Sequence, residues 1–229
     1  MPITTKTEEE IEIIRAGGKL LSQILAKVRG AAVPGVSTGA LDELAERLIL
    51  ACGGTPSFKG YRVSGIYVPY PGSICASIND EIVHGIPRHD RILRAGDIIG
   101  LDIGMWYPAG AISNFKFPNQ NLNSRKLLIS NRKSEIALAT DMAITIGIGR
   151  VSAEAERLMH AVREALDAGI QAVRPGAHIG DIGAAVERRL KRDQLGIIRD
   201  LAGHGVGYQV HEDPFIPNFG RPGTGPEIK

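Results

Sequence analysis

The segment AAVPGVSTGALDELAER, residues 31–47, recurs in outline further along the chain as AVRPGAHIGDIGAAVER, residues 172–188. Six positions are identical at a constant offset of 141 residues, Pro34 and Gly39 of the first copy among them. Self-similarity at a fixed offset is typical of a duplicated structural unit. Chance likeness between two amphipathic helices is the alternative, and the shared Pro-Gly-x-x-x-Gly pattern argues against it. We therefore expect two related halves, each with a helix, a Pro-Gly break, a second helix and then strands.

The spacing of apolar residues extends this pattern over most of the chain. It predicts helices at about 7–29, 39–51, 152–170 and 179–191. Thr7 and Glu10 form a capping-box pattern at the start of the first helix. SICASIND and EIVHGIP predict two strands around a turn at Asn79, and DIIGLDIGMWYP predicts a buried strand. Together these elements predict the α+β fold class.

A polar segment, residues 109–137, interrupts the pattern. It contains five of the seven asparagines and five basic residues, without recurring apolar spacing. It lies between the strand-like stretches IGLDIGMWYP and LATDMAITIGI, so we interpret it as an insertion between two strands. A long connection at a hairpin tip is tolerated because closure entropy grows slowly with loop length. If the insertion is such a tip, the flanking strands are antiparallel neighbours.

Length and composition are those of an ordinary globular protein with one domain over residues 1–229. The N-terminus lacks a signal-peptide pattern, and no apolar run is long enough to cross a bilayer. Two cysteines cannot form a disulfide framework. Basic residues concentrate in the polar segment, so the rest of the chain offers no basic surface for nucleic acid. These features predict a cytoplasmic protein, and a monomer is expected because nothing indicates an oligomer.

Two aspartates interrupt apolar strand-like stretches. Asp102 lies between Leu101 and Ile103, and Asp141 is followed by MAI. An ionised carboxylate in such surroundings is strongly unfavourable unless it is paired or binds a metal. If the flanking strands are antiparallel, both side chains can face one pocket, where two carboxylates favour a divalent cation. A structural role in a turn or a cap is the alternative for either residue alone.

His204 and His211 lie seven residues apart in AGHGVGYQVHEDP, residues 202–214. On one regular strand an odd separation places the two side chains on opposite faces. The spacing also differs from the i, i+4 pair of a helical metal site, and the three glycines between 203 and 207 argue against a helix. The spacing therefore predicts two different roles for these histidines.

Four stretches together resemble the type I methionine aminopeptidases, metallopeptidases of the pita-bread fold. They are SINDEIVHGIP (77–87), GLDIGMWYP (100–108), TDMAIT (140–145) and GHGVGYQVHEDP (203–214). They follow the family's order, and the resemblance covers nearly the whole chain except residues 109–137. It implies the pita-bread fold, a pseudo-two-fold duplication of helix-helix-strand units with a curved antiparallel sheet, in agreement with the repeat.

The resemblance implies a hydrolase that removes the initiator methionine from nascent polypeptides with two divalent metal ions, drawn from cobalt, manganese, iron and zinc. In the roles it implies, Asp102, Asp141 and His204 bind metal, with Asp141 bridging both ions; His84 and His211 contact the substrate and stabilise the tetrahedral intermediate; and Tyr67, Tyr70 and Cys75 line the pocket for the methionine side chain. Glu212 does not match a ligand of the family.

The chain departs from the family in two places. The insertion separates the two aspartate ligands, and the family's two glutamate ligands, one of them its proton shuttle, have no counterpart before Lys229. The repeat leads to the same expectation, because the strand matching that of Asp102 would fall beyond the last residue. The C-terminal strands are therefore expected to be missing.

Without those two ligands we expect the chain as given to be inactive or nearly so. A catalytically inactive pita-bread module that binds a partner such as the ribosome is the alternative function. A third interpretation, a peptidase of the prolidase or aminopeptidase P kind, is disfavoured because those proteins usually carry an extra N-terminal domain.

Overall fold

The computed structural model describes residues 3–62, 67–108 and 136–229. Its helices are α1 (Glu8–Ala31), α2 (Thr38–Ala51), α3 (Ala153–Ala172) and α4 (Ile179–Arg192). Its strands are β1 (Thr55–Pro56), β2 (Ile74–Ile78), β3 (Ile98–Tyr107), β4 (Leu138–Gly147), β5 (Ala202–Gly205) and β6 (Glu212–Pro217). None of these helices combines the length and apolar character needed to cross a membrane.

Local sequence accounts for the helix boundaries. Thr7 caps α1 with a complete capping box, in which its hydroxyl accepts from the Glu10 amide and its own amide donates to the Glu10 carboxylate at 2.8 Å. Ser37 and Ser152 cap α2 and α3 through their hydroxyl groups. All four helices begin and end within two residues of the bounds that the apolar spacing predicts.

The larger sheet is built around β3. Strand β4 pairs antiparallel with one edge of β3 in an unbroken register from Ile98–Gly147 to Tyr107–Leu138. On the other edge, β1 and β2 pair with successive parts of the same strand. One face of β3 is fully buried in the main core, through Ile99, Leu101, Ile103 and Met105. Helix α1 packs against both β3 and β4, so the opposite face of this hairpin remains available for a site.

Residues 81–87, EIVHGIP, form a loop, and the prediction of a strand there is wrong. Asn79 and His84 have φ angles of 57° and 59°, in the left-handed region that interrupts an extended chain. Strand β2 pairs with β3 instead. The loop still follows the other edge of β2, because the Ala76 amide donates to Gly85 O at 2.8 Å.

The two halves repeat hydrogen bonds as well as sequence. The Gly35 amide donates to Leu93 O at 2.8 Å, and the Gly176 amide, at the matching position, donates to Ile228 O at 2.8 Å. In each half a later segment therefore returns to the Pro-Gly break before the second helix. The predicted duplication is confirmed at the level of backbone contacts.

Gly39 and Gly180 match in the repeat, and both positions require glycine for the same structural reason. A Cβ atom at Gly39 would lie 2.8 Å from the His89 backbone nitrogen, and one at Gly180 would lie 2.3 Å from the Arg221 carbonyl oxygen. Any side chain would therefore collide with the segment that crosses the helix N-terminus.

Helices α1 and α3 differ in what covers their apolar faces. In α1, Leu21 and Leu25 are buried in the core beneath the sheet. The residues at the offset of 141, Val162 and Leu166, are 50% and 49% exposed. The exposed apolar stripe of α3 comprises Leu158, Val162, Leu166 and Ile170, and Val173 at the C-cap continues it.

Candidate active site

The hairpin β3–β4 brings Asp102 and Asp141 to one face of the sheet. Gly104 lies opposite Asp141 in the ladder, and Asp102 precedes Gly104 by two positions. Because side chains alternate along a strand, the two aspartates project from the same face as diagonal neighbours. That face is opposite to the one that carries Leu101 and Ile103 into the core. Asp102 and Asp141 therefore lie on the same face of the hairpin, as the antiparallel interpretation predicts.

Burial raises the pKa of both carboxyl groups. For Asp102 the pKa rises to about 8, first because of burial and then because of the negative charge and hydrogen bond of Asp141. For Asp141 burial also raises the pKa, while the hydrogen bond with Asp102 and the charge of His204 oppose the rise. Two half-buried carboxylates side by side favour a shared proton or a cation.

His204 lies on β5 with a ring nitrogen directed at this pair. Its Nε2 is 3.9 Å from Oδ2 of Asp141. Its Nδ1 lies 2.9 Å from Gly205 O, and since a carbonyl oxygen only accepts, Nδ1 carries the hydrogen. Nε2 is thus the ring nitrogen nearer to the carboxylate. A backbone carbonyl that fixes the ring in this way is typical of metal-binding histidines.

His211 faces His204, with ring centroids 4.3 Å apart and an interplanar angle of 62°. The parity rule, which puts them on opposite faces of one strand, does not apply because the chain reverses between β5 and β6. The ladder between these strands also shifts its register between His204 and Gly205. The expectation that the two side chains lie on opposite faces is therefore wrong. The separate roles predicted for the two histidines stay predictions.

His211 is held as a neutral imidazole. Burial lowers its pKa, and the charges of His204 and His84 lower it further. His84 lies in the exposed loop after β2, at a φ angle of 59°. Tyr61 Oη lies 3.0 Å from His211 Nδ1, which leaves Nε2 free to face a substrate.

An apolar cluster adjoins the two aspartates. Phe58, Cys75 and Val210 form its buried centre, and Tyr61, Tyr70 and Trp106 pack around it. Cys75 lies directly opposite Asp102 in the β2–β3 ladder. Burial raises the pKa of the Cys75 thiol to about 12, so the sulfur stays protonated. Cys75 and Tyr70 thus lie where the resemblance implies a pocket for an apolar side chain.

Tyr67 does not line this cluster. Its side chain is 95% exposed, whereas Tyr61 packs against the cluster and contacts His211. The sequence carries no local signal for which of the two tyrosines packs inward. Tyr61 is thus a site residue that sequence reasoning missed, and Tyr67 is corrected to a surface residue.

Glu212 forms an ion pair with Lys6. That it is not a metal ligand stays a prediction. The insertion, apart from residues 136 and 137, lies outside the described residues. The flanking strands, β3 and β4, pair in unbroken register.

The donor chemistry fits a divalent cation. The 3.9 Å between His204 Nε2 and Asp141 Oδ2 is less than two metal–ligand bonds of about 2.1 Å each, so one ion can contact both atoms. In the part of the chain that the structure describes, no three His, Cys, Asp or Glu side chains already converge on a common point. The residues fit a cation in charge and type, without forming a closed set of ligands.

Comparisons with known proteins agree with these features. The model of metallopeptidase family M24 matches residues 12–117 and 108–229, in two parts that meet at the polar insertion. The methionine aminopeptidase of Clostridium acetobutylicum is 37% identical over 226 residues, which are 99% of this chain and 77% of that protein. Methionine aminopeptidase 1 of Bacillus subtilis is 35% identical, with coverage of 99% and 77%.

Solved structures give the same result for the fold. The methionine aminopeptidase of Thermotoga maritima has a TM-score of 0.80 and 30% identity, over 100% of this chain and 78% of its own. The prolidase of Pyrococcus furiosus, with a TM-score of 0.67 and 21% identity over 93% of this chain and 52% of its own, shares the fold. With a family model over nearly its whole length and relatives above 30% identity, the chain belongs to metallopeptidase family M24, among the methionine aminopeptidases.

Proposed function

We propose that this chain acts on polypeptides with an N-terminal methionine and that it hydrolyses the first peptide bond with the help of divalent metal ions. One observation carries the proposal. A half-buried pair of carboxylates, Asp102 and Asp141, lies beside Nε2 of His204 and next to an apolar cluster that contains Cys75. The names of the relatives support methionine as the residue removed.

Asp102, Asp141 and His204 would hold the metal, with Asp141 in the bridging position between two ions. When bound, divalent ions at such a site lower the pKa of a water molecule and polarise the scissile carbonyl group. Cobalt, manganese, iron and zinc all suit this mixture of carboxylate and imidazole donors.

The chain's own residues bind and orient the substrate. His211 is neutral, and its Nδ1 is engaged by Tyr61, so Nε2 is available as a hydrogen-bond donor to the substrate carbonyl oxygen. His84, in the loop after β2, is proposed to act with it on the substrate. The cluster around Cys75 and Tyr70 would take the methionine side chain, because a flexible thioether packs well against aromatic rings and a protonated thiol.

Nascent chains as substrates would place the protein in the cytoplasm near the ribosome, and we propose that it works there as a monomer. We also propose that its turnover is slow. The proposed set has three donors, and in the part of the chain that the structure describes no three such side chains already converge on one point. An ion held by too few ligands binds weakly and is poorly positioned.

The proposal is tested by loading the purified chain with cobalt or manganese and measuring methionine release from a Met-Ala-Ser peptide. Asp141→Ala serves as the matched inactive variant. Slow release that depends on added metal and disappears in Asp141→Ala supports the proposal. Turnover as fast as that of the Bacillus subtilis relative contradicts the slow-turnover part. Absence of both metal binding and release favours the alternative of a non-catalytic binding module.

A further inference from the structure

A buried ion pair joins the N-terminal segment to the hairpin that carries His211. Lys6 lies just before α1, Glu212 opens β6, and their side chains pair although 206 positions separate them. Only 13% of the Lys6 side chain and 8% of the Glu212 side chain are exposed. A carboxylate this deeply buried is strongly unfavourable once its partner is removed. The position of Glu212 therefore depends on Lys6.

Lys6 is itself enclosed by the hairpin and by α1. Its ammonium group lies 4.8 Å from the ring centre of Tyr208, within the range of a cation–π contact. The Tyr208 hydroxyl donates to the Glu10 carboxylate at 2.7 Å, and Glu10 belongs to the capping box of α1. A Cβ atom at Gly207 would lie 2.6 Å from Lys6 Cε, so the backbone there leaves room only for the lysine stem.

His211 lies in a bend, and Glu212, directly after it, begins β6. The Glu212 side chain turns toward Lys6, while the His211 ring turns toward His204 and Tyr61. Backbone pairing near His211 is irregular, because the β5–β6 ladder shifts register between His204 and Gly205. Side-chain contacts are therefore needed to fix this part of the backbone.

We propose that Lys6 is a positioning residue for His211. By holding the Glu212 carboxylate, it fixes the backbone from which the His211 imidazole projects toward His204 and the two aspartates. The inference rests on the proposed function, in which His211 contacts the substrate, but it concerns a geometry that can be measured without catalysis.

The experiment is proton–nitrogen NMR of the histidine rings in the full chain, with the His211 signals assigned by loss in His211→Ala. The readouts are the ring chemical shifts of His211 and the nuclear Overhauser contact between the His204 and His211 rings. Lys6→Met removes the charge and keeps the stem, Glu212→Gln removes the other charge, and Lys6→Arg restores a cation. Lys19→Met, on the exposed face of α1, is the matched surface control.

Thermal unfolding is measured for each variant. Ile24→Val, at a fully buried position in the main core, provides a destabilised fold with the ion pair intact. We expect Lys6→Met and Glu212→Gln to shift or split the His211 signals and to lose the contact with His204. Lys6→Arg should restore both readouts, and Lys19→Met and Ile24→Val should leave them unchanged.

Unchanged His211 signals in both Lys6→Met and Glu212→Gln overturn the proposal, even if the melting temperature falls, because Lys6 then has only a structural role. Signals that shift equally in Ile24→Val also overturn it. Since neither readout requires hydrolysis, a chain without peptidase activity can still support or refute the positioning role.

Discussion

Nε2 of His204 lies 3.9 Å from Oδ2 of Asp141, and this contact joins the β5–β6 hairpin to the larger sheet. His204 belongs to the second half of the duplicated fold and Asp141 to the first. An ion bound between them would therefore link the two halves. The contact is the point at which substitutions test the metal site most directly.

Asp141→Asn should abolish metal binding while the fold is kept, because asparagine has nearly the same shape but lacks the charge. Loss of an outer-shell partner typically weakens a metal site roughly 10- to 100-fold, and loss of a bridging ligand should exceed that. Titration calorimetry with manganese measures the affinity. Asp167→Asn, an exposed carboxylate on α3, is the control. Equal affinity in Asp141→Asn and the control would falsify the bridging role.

The metal-free protein should lose stability as the pH rises. A carboxyl group whose pKa is higher in the folded state than in the unfolded state contributes stability at low pH, and this contribution disappears as the pH rises through the folded value. For Asp102 the loss falls between the ordinary pKa of 3.8 and about 8.

Other carboxyl groups, such as Asp181, have lowered pKa values and act in the opposite sense. The measurement is therefore the difference in melting temperature between the natural chain and Asp102→Asn, without metal, from about pH 4 to about pH 9. We expect Asp102→Asn to gain relative stability as the pH rises. A difference that stays constant with pH contradicts the raised pKa.

Tyr61→Phe should impair catalysis, and Tyr67→Phe should not. Tyr61 Oη lies 3.0 Å from His211 Nδ1, and the net loss of a hydrogen bond of about 1 kcal/mol corresponds to a roughly fivefold lower kcat. Tyr67 is exposed, so its hydroxyl has no comparable role. Steady-state kinetics on a methionyl peptide compare the two variants. A larger loss in Tyr67→Phe than in Tyr61→Phe would restore the sequence-based assignment of Tyr67 to the pocket.

Gly180→Ala should destabilise the protein by roughly 1–3 kcal/mol, because its new methyl group would collide with the Arg221 carbonyl oxygen. Gly18→Ala is the matched control, since a Cβ atom there meets nothing within 4 Å. In the middle of α1 that change should stabilise by about 0.5–1 kcal/mol. Urea unfolding measures the stability of both variants. If Gly180→Ala stabilised the protein as Gly18→Ala is expected to, the close approach of Arg221 to Gly180 would be contradicted.

The exposed apolar stripe of α3 should limit solubility. Val162→Gln with Leu166→Gln replaces two half-exposed side chains, so the free energy of unfolding should change by no more than about 0.5 kcal/mol per site. The soluble yield should rise because a contiguous apolar patch is removed. The matching change in α1, Leu21→Gln with Leu25→Gln, should unfold the protein. A strong loss of stability in the α3 variant would show that the stripe is covered.

Much of the fold could be predicted from local patterns in the sequence. The helices follow from apolar spacing and from capping residues such as Thr7, and the pairing of β3 with β4 follows from the strand patterns on either side of the insertion. The strand predicted at residues 81–87 failed because the left-handed conformation of His84 was not visible in the apolar pattern.

A site residue could be predicted from the sequence only where its chemical type differs from that of its neighbours. Asp102 in an apolar strand is such a residue. The facing of His204 and His211 depends on a chain reversal and a register shift, which the parity of seven residues cannot reveal. The contact of Lys6 with Glu212 joins distant parts of the chain, so neither residue carries a local signal of it.

Asp102 and Asp141 are held by rungs of a ladder that runs without interruption from Ile98–Gly147 to Tyr107–Leu138. The backbone pairing of β3 with β4 sets the relative positions of the two acids. These positions do not depend on the number of residues that join Tyr107 to Leu138. A search that demands a constant interval between these acids would overlook chains of this kind. Alignments across hairpins should match paired positions and let the interval between them vary freely.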